Sequence, residues 1–255
     1  MIINHNIPAL NTQRNLNMNS TAASKNMEKL SSGLRINRAS DDAAGLSISE
    51  KMRGQIRGLE QAQRNVQDGI SFAQTAEGAM NEVSSMLGRM KELNVQKLNG
   101  TYSAGDKSNI NAELKQLGTQ IDSIMSNTTF NGIKITSSVK VQADDSKFSI
   151  TVSGVTTTGF KNLNASSSLS SISTAIEKVA TQRANLGAVQ NRLEYTSNNL
   201  GTTVENLTAS ESRIRDTDMA KEMVALSKNN ILVQASQSML SQANSAPQGV
   251  LSLLR

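Results

Sequence analysis

The chain has no cysteine and no tryptophan, one histidine, two prolines and only six aromatic rings in 255 residues. Each scarcity removes a class of answers. Without Cys there is no disulfide and no thiolate metal site, although a Cys-free chain suits either redox compartment. His5 stands alone, with no H-E-x-x-H pair and no other metal-ligand spacing around it. No Gly-rich phosphate loop precedes a Lys-Ser/Thr pair. The acid pairs Asp41-Asp42 and Asp144-Asp145 are adjacent in sequence; adjacent helix residues do not face a common site, and the second pair is expected in a hairpin turn. Catalysis needs a pocket holding perturbed groups, so neither an enzyme nor a metal or cofactor is expected. Globular cores usually take bulk from rings. Here Ala, Leu, Ile, Val and Met carry the apolar load, which suits narrow helix seams better than a deep core. No run approaches membrane-spanning length. The opening MIINHNIPALN lacks a basic and an apolar region, so no secretory signal peptide is expected.

What is present is a sevenfold repeat. Met52, Leu59, Val66, Ala73, Met80 and Leu87 form one series, and Ile172, Val179, Leu186, Leu193, Leu200 and Leu207 form another. A step of seven holds apolar residues on one seam of a helix. The two halves should therefore fold back on each other as a long antiparallel bundle or coiled coil, a mainly α fold. Pro8 and Pro247 lie near the ends and leave every long helix uninterrupted.

Residues 1–35 read as a helix after a short lead-in, with a thin stripe of Leu16, Ala23 and Leu30 joined by Met27 and Leu34. Asn is frequent there, at 4, 6, 11, 15, 17, 19 and 26. Alone, such a helix buries too little to offset its ordering entropy. The run INRASDDAAGL breaks the pattern, with Ser40 expected as the cap of a helix over 43–98. Six glycines in that helix suggest close helix approach or neighbours beyond the monomer. A turn at Asn99-Gly100 leads to a helix over 106–127, and Asn131-Gly132 marks another turn. Ile133, Ile135, Phe148, Ile150 and Val152 alternate with polar residues, which predicts one small β-hairpin at about 130–156. A Ser/Thr-rich loop follows, then helices over 168–210 and 215–245, the last carrying Met219, Met223, Leu226, Ile231 and Met239.

The net charge of +5 is uneven. Arg14, Lys25, Lys29, Arg35 and Arg38 face only Glu28 within residues 1–40. These bases are spaced singly without interleaved rings for base stacking. They predict a solvated face or a protein contact rather than nucleic-acid binding.

The stretch KLSSGLRINRASDDAAGLSISEKMRGQIRGL at 29–59 closely resembles bacterial flagellin. So do INHNIPALNT at 3–12, ASESRIRDTD at 209–218 and SQANSAPQGVLSLLR at 241–255. The resemblance is to the Bacillus-like forms and leaves out only about 135–170. It implies a filament subunit exported unfolded through the flagellar type III channel and working outside the cell in motility. It implies a discontinuous terminal coiled-coil domain at 1–42 and 212–255, and an inner bundle over 43–211 with the hairpin at its tip. A large outer domain is absent. Filament-core assembly is expected from Ile7, Leu10, Leu16, Met27, Leu30, Leu34, Met219, Met223, Leu226, Ile231, Met239, Leu251 and Leu254. The implied partners are further copies of the chain, an export chaperone on the C-terminal arm, cap and hook-associated proteins, and a host Toll-like receptor. No nucleic acid or membrane is among them. The receptor contact maps onto Arg89, Leu93, Gln96 and Glu113; the local run departs from the family motif at Gly88 and Asn94 and carries Lys91 for an Arg. A hook–filament junction protein or another secreted coiled-coil scaffold is the alternative.

Overall fold

The structure is a computed structural model that describes residues 6–253 except 146 and 165, with the side chains of 247, 248 and 250–253 outside the description. His5, Leu254 and the side chain of Leu251 lie outside the described residues. Among the described residues five helices dominate: α1 (Ile7–Ser32), α2 (Ala43–Leu98), α3 (Ala104–Asn127), α4 (Leu169–Arg215) and α5 (Met219–Leu253). The chain divides into two compact units, Met1–Gly54 with Leu207–Arg255, and Gln55–Asn206.

Local chemistry sets the helix ends. The Asn6 side chain accepts from the Ala9 N–H at 3.1 Å, with Pro8 in the first turn where no donor is needed. α1 stops at Gly33, whose φ of 72° lets its N–H return to the Lys29 carbonyl at 2.8 Å. At α2 the cap is Asp42 and not the expected Ser40. The Asp42 carboxylate takes the Gly45 N–H at 2.8 Å. Asp41 instead takes the N–H groups of Asn37 and Arg38 at 3.2 and 3.0 Å, tying down the chain before the helix. α3 begins two residues before the expected 106, because Ser103 and Asp106 form a reciprocal capping box. The last two helices also outrun their expected ends of 210 and 245.

Where one β-hairpin was expected there are two. β1 (Thr129–Phe130) pairs with β2 (Ile133–Lys134), and β3 (Val139–Gln142) pairs with β4 (Ser149–Val152). Asn131 and Gly132 have φ of 50° and 77°. That two-residue turn closes its own small hairpin, so it does not open a longer one. Ile150 and Val152 point into the core in the β3–β4 pair, whereas Phe148, just before the strand, is about half exposed.

Unit Gln55–Asn206 holds most of the core. Leu59, Val66, Ala73, Met80 and Leu87 of α2 are buried, as are Ile172, Val179, Leu186, Leu193 and Leu200 of α4. Ile110, Leu114, Ile121 and Met125 of α3 join them, with Ile135, Val141 and Ile150 from the β region. Arg183 of α4 pairs with Glu77 of α2 at 3.2 Å. A side chain at Gly69 would lie 2.7 Å from Val141 and 3.5 Å from Leu193. These two meetings, 69 with 193 and 77 with 183, show that α2 and α4 run antiparallel.

The other unit is different. Among its described residues only Ala23 and Ile36 are buried apolar side chains. The heptad members Met52 and Leu207, which fall in this unit, are only half-buried.

Candidate assembly and recognition surfaces

α1 and α5 pack against each other as an antiparallel pair. Asn6 donates to the Ala243 carbonyl at 2.7 Å, and Asn19 donates to the Ser236 hydroxyl at 3.2 Å. The Asn26 amide, oriented to match its neighbours, donates to Glu222 and accepts from Asn229, each at 3.2 Å. Glu222, Asn229, Ser236 and Ala243 recur every seven residues on α5, facing Asn26, Asn19 and Asn6. The Asn richness of the first helix therefore builds polar rungs across the pair. Half-buried Leu16 of α1 and Leu226, Val233 and Leu240 of α5 sit between the rungs, and half-buried Leu30 lies just past the last of them. A polar residue at such a position fixes register at a cost in stability.

The outer faces are apolar without a partner. Ile7, Leu10, Met18 and Met27 of α1 are 58, 64, 61 and 54% exposed. On α5, Met219, Met223, Val224, Ile231, Leu232 and Met239 are all exposed. Helical spacing puts Val224 and Ile231 on the side of α5 away from Leu226 and Val233. The expected assembly set thus splits by geometry. Leu16, Leu30 and Leu226 hold the pair together, whereas Ile7, Leu10, Met27, Met219, Met223, Ile231 and Met239 face outward. Met18, Val224 and Leu232 are outward residues that sequence reasoning missed; each lies off the heptad stripe of its helix.

The connection after α1 is a second feature the sequence did not reveal. Leu34 pairs with Asp216 as an isolated antiparallel bridge: the Arg35 N–H donates to the Arg215 carbonyl at 2.6 Å and the Thr217 N–H to the Gly33 carbonyl at 3.0 Å. The Arg35 guanidinium reaches the Ile214 carbonyl at 2.6 Å. That cation satisfies an orphan acceptor and the negative end of the α4 dipole. Arg215, 12% exposed at its side chain, pairs with Glu50 at 2.8 Å, and Arg53 bridges Glu50 and Glu211 at 4.0 and 3.9 Å. Ile36, 1% exposed, is buried beside Gly45, where an added Cβ would come 2.8 Å from it.

The glycines of α2 divide into two groups. Side chains at Gly45, Gly58 and Gly69 would collide with Asp42, Asp145 and Val141, so those three serve packing within the chain. Gly54, Gly78 and Gly88 have nothing within 4 Å of an added Cβ.

The mapped receptor positions lie on α2 and α3. Arg89 pairs with Glu113 of α3 at 3.0 Å and with Glu92 at 3.3 Å. These hydrogen bonds, that to Glu113 first, raise the Arg89 pKa above its ordinary value. Gln96 is exposed and donates to the Tyr102 hydroxyl at 3.0 Å. Leu93 is 2% exposed, on the α2 face that carries buried Met90, so it supports this surface from beneath. Asn94 is also buried, its amide donating to the Ser167 carbonyl at 2.9 Å. Among the described residues no group of acids and histidines could hold a metal ion, and no helix is long and apolar enough to cross a membrane.

Residues 3–140 match the family model of the bacterial flagellin N-terminal helical region, and residues 169–254 match that of the C-terminal helical region. The chain belongs to the bacterial flagellin family. The gap between the two matches, 141–168, holds the end of β3, all of β4 and the Ser/Thr-rich loop. Flagellin of Halalkalibacterium halodurans is 51% identical over 272 residues, and that of Bacillus subtilis is 48% identical over 309. The flagellar filament 33 kDa core protein of Treponema phagedenis is 46% identical over 286 residues. Each alignment covers all of both chains. The crystal structure of Bacillus cereus flagellin aligns with a TM-score of 0.42 at 26% identity, covering 64% of this chain and 94% of that one.

Proposed function

We infer that this chain is a structural subunit of the bacterial flagellar filament and assembles with copies of itself through its terminal helices. The observation that carries the reading is the pair α1/α5, which among its described residues buries almost nothing fully yet exposes apolar residues on its outer faces. Monomeric proteins rarely leave such faces in water. Neighbouring copies can supply the missing burial. Head-to-tail contacts that do not close generate an open helical filament, which fits a subunit of an extracellular appendage used for motility. Residues 1–42 and 212–255 are then the filament-core domain, and 43–211 form the inner bundle without a large outer domain. The chain acts as a building block, with no catalytic role.

A helix pair with so little core unfolds at low cost. This supports export in an unfolded state, with a chaperone covering the C-terminal arm and cap and hook-associated proteins guiding incorporation. Arg89, with Gln96 and Glu113 beside it and Leu93 beneath, is assigned as the contact for a host Toll-like receptor. Lys91 replaces the planar fork of an Arg with a point charge there, which lowers the potency of that contact. Arg89→Ala is expected to reduce receptor activation while leaving the melting transition in place; unchanged activation rejects the assignment.

The assembly reading is tested by negative-stain electron microscopy after seeded polymerisation, beside a truncation lacking 213–255. Long uniform filaments are expected from the full chain alone. Short oligomers from the full chain would reject the reading.

A further inference from the structure

We propose that the exposed methionines of α1 and α5 form an oxidation-sensitive gate on assembly, closed when a peroxide converts them to sulfoxides. The proposal rests on the assembly reading above. Its starting point is how the chain distributes its 11 methionines. Met80, Met90 and Met125, in the inner unit, are 0, 0 and 3% exposed, while Met52 and Met86 are half-buried. By contrast, every methionine on the two terminal helices is open to solvent: Met18, Met27, Met219, Met223 and Met239 are 61, 54, 48, 52 and 59% exposed. In a chain with no Cys, these thioethers are the most readily oxidised side chains that the described residues offer to solvent.

Methionine suits a surface that must fit several neighbours, because it is unbranched and polarizable. The same sulfur is a nucleophile. It attacks one peroxide oxygen, the O–O bond breaks, and water departs. The sulfur is oxidised by two electrons to a sulfoxide while one hydrogen peroxide is reduced to water. The product is polar and chiral. On a free chain the new S–O dipole is hydrated and harmless. Against another copy it must be buried, and a buried acceptor without a donor opposes association. Ile7, Leu10, Val224, Ile231 and Leu232 share these helices and cannot react, so the sensitivity resides in the five sulfurs. Incorporation covers the faces, so the reaction acts on a chain that has not yet joined. Because sulfoxide reductases reverse it, the modification is a gate and not only damage.

The test treats purified full chain with graded hydrogen peroxide, reads oxygen addition by peptide mass spectrometry, and then measures seeded filament growth. Met18, Met27, Met219, Met223 and Met239 are expected to gain oxygen at least about tenfold faster than Met80, Met90 and Met125. Growth should fall by about tenfold or more while the melting transition stays in place. A second chain carries Met18→Leu, Met27→Leu, Met219→Leu, Met223→Leu and Met239→Leu. The quantity compared is treated growth divided by untreated growth for each chain, so a changed basal rate cancels. This ratio should stay near one for the substituted chain and return towards one for the native chain after treatment with reductases for both sulfoxide epimers.

Equal oxidation of buried and exposed methionines overturns the proposal. So does full growth of the oxidised native chain, or an equal loss in the substituted chain. A native chain that fails to grow before any peroxide is added overturns the assembly reading instead, and the proposal falls with it.

Discussion

Leu193 and Leu226 make a matched pair that separates folding from assembly. Leu193 lies on α4 with none of its surface exposed, inside unit Gln55–Asn206. Truncating a fully buried Leu removes its transfer energy and leaves a cavity, for a loss of about 3 kcal/mol. For a domain of this size each kcal/mol lowers the melting temperature by about 2–4 °C. Leu193→Ala should therefore melt about 6–12 °C lower by calorimetry. Leu226 is also a heptad-spaced Leu on a long helix, but it is half-buried and faces α1 in a unit with almost no sealed core. Leu226→Ala should leave the main transition within about 1 °C, because that transition reports the inner unit. Its effect should appear in assembly. Ordering α1 against α5 then loses about 1–2 kcal/mol of burial, raising the monomer concentration needed for growth by about 5- to 30-fold. The assay is a melting scan and a sedimentation assay on the same preparations. A main transition lowered as far by Leu226→Ala as by Leu193→Ala would refute the division between the two units.

Two further outcomes follow from the contacts. The carboxyl of Asp41 is held below its ordinary 3.8 by backbone N–H bonds, from Arg38 first and then Asn37, and that of Asp106 by the Ser103 hydroxyl and then its N–H. Because the folded values lie below the unfolded ones, the stabilisation is complete above the unfolded value and is lost as pH falls through the folded one. Melting temperature should change little between pH 8 and about 5 on account of these groups, and fall in more acid solution, with a shallower acid limb in Asp106→Asn; superimposed acid limbs would dismiss the cap as its source. Gly69→Ala puts a Cβ 2.7 Å from Val141 and should cost about 1–3 kcal/mol, whereas Gly78→Ala meets nothing within 4 Å and should stabilise the free chain by about 0.4–1 kcal/mol. Slower filament growth by the more stable Gly78→Ala would mark that glycine as a place where copies approach, and melting shifts of the same sign in both variants would contradict the contact geometry.

Much of the helical plan was legible because period and punctuation agreed. The 43–98 helix matches α2 end for end, since an apolar series begins after an acidic cap and stops before Asn99-Gly100. Errors arose where one residue could play two parts. Ser40 is a good cap in isolation, but Asp42 is nearer the first free N–H groups, and Asp41 has the loop to hold. Asn131-Gly132 signalled a turn correctly, yet composition could not say that it closes a separate hairpin only two residues deep. The ion network of Glu50, Arg53, Glu211 and Arg215 joins segments far apart in sequence, and no local pattern announces such a meeting.

The site was legible in part for a deeper reason. A heptad series states that a seam exists, not how many elements surround it. Along α2 the series runs unbroken from Met52 to Leu87, and along α4 from Ile172 to Leu207. Burial does not follow that uniformity. The series is sealed from Leu59 to Leu87 and from Ile172 to Leu200, in the unit where α3, Ile135 and the β3–β4 hairpin contribute buried side chains. It opens at Met52 and Leu207, in the unit that has only α1, α5 and two helix ends to offer. The Asn rungs point the same way, because polar groups at a seam weaken the pair while fixing its register. Periodicity alone presents the terminal helices as poor versions of the inner ones. Burial shows them to be seams of a different kind, apolar inward and outward, and it is this outward surface that the proposed function assigns to other copies.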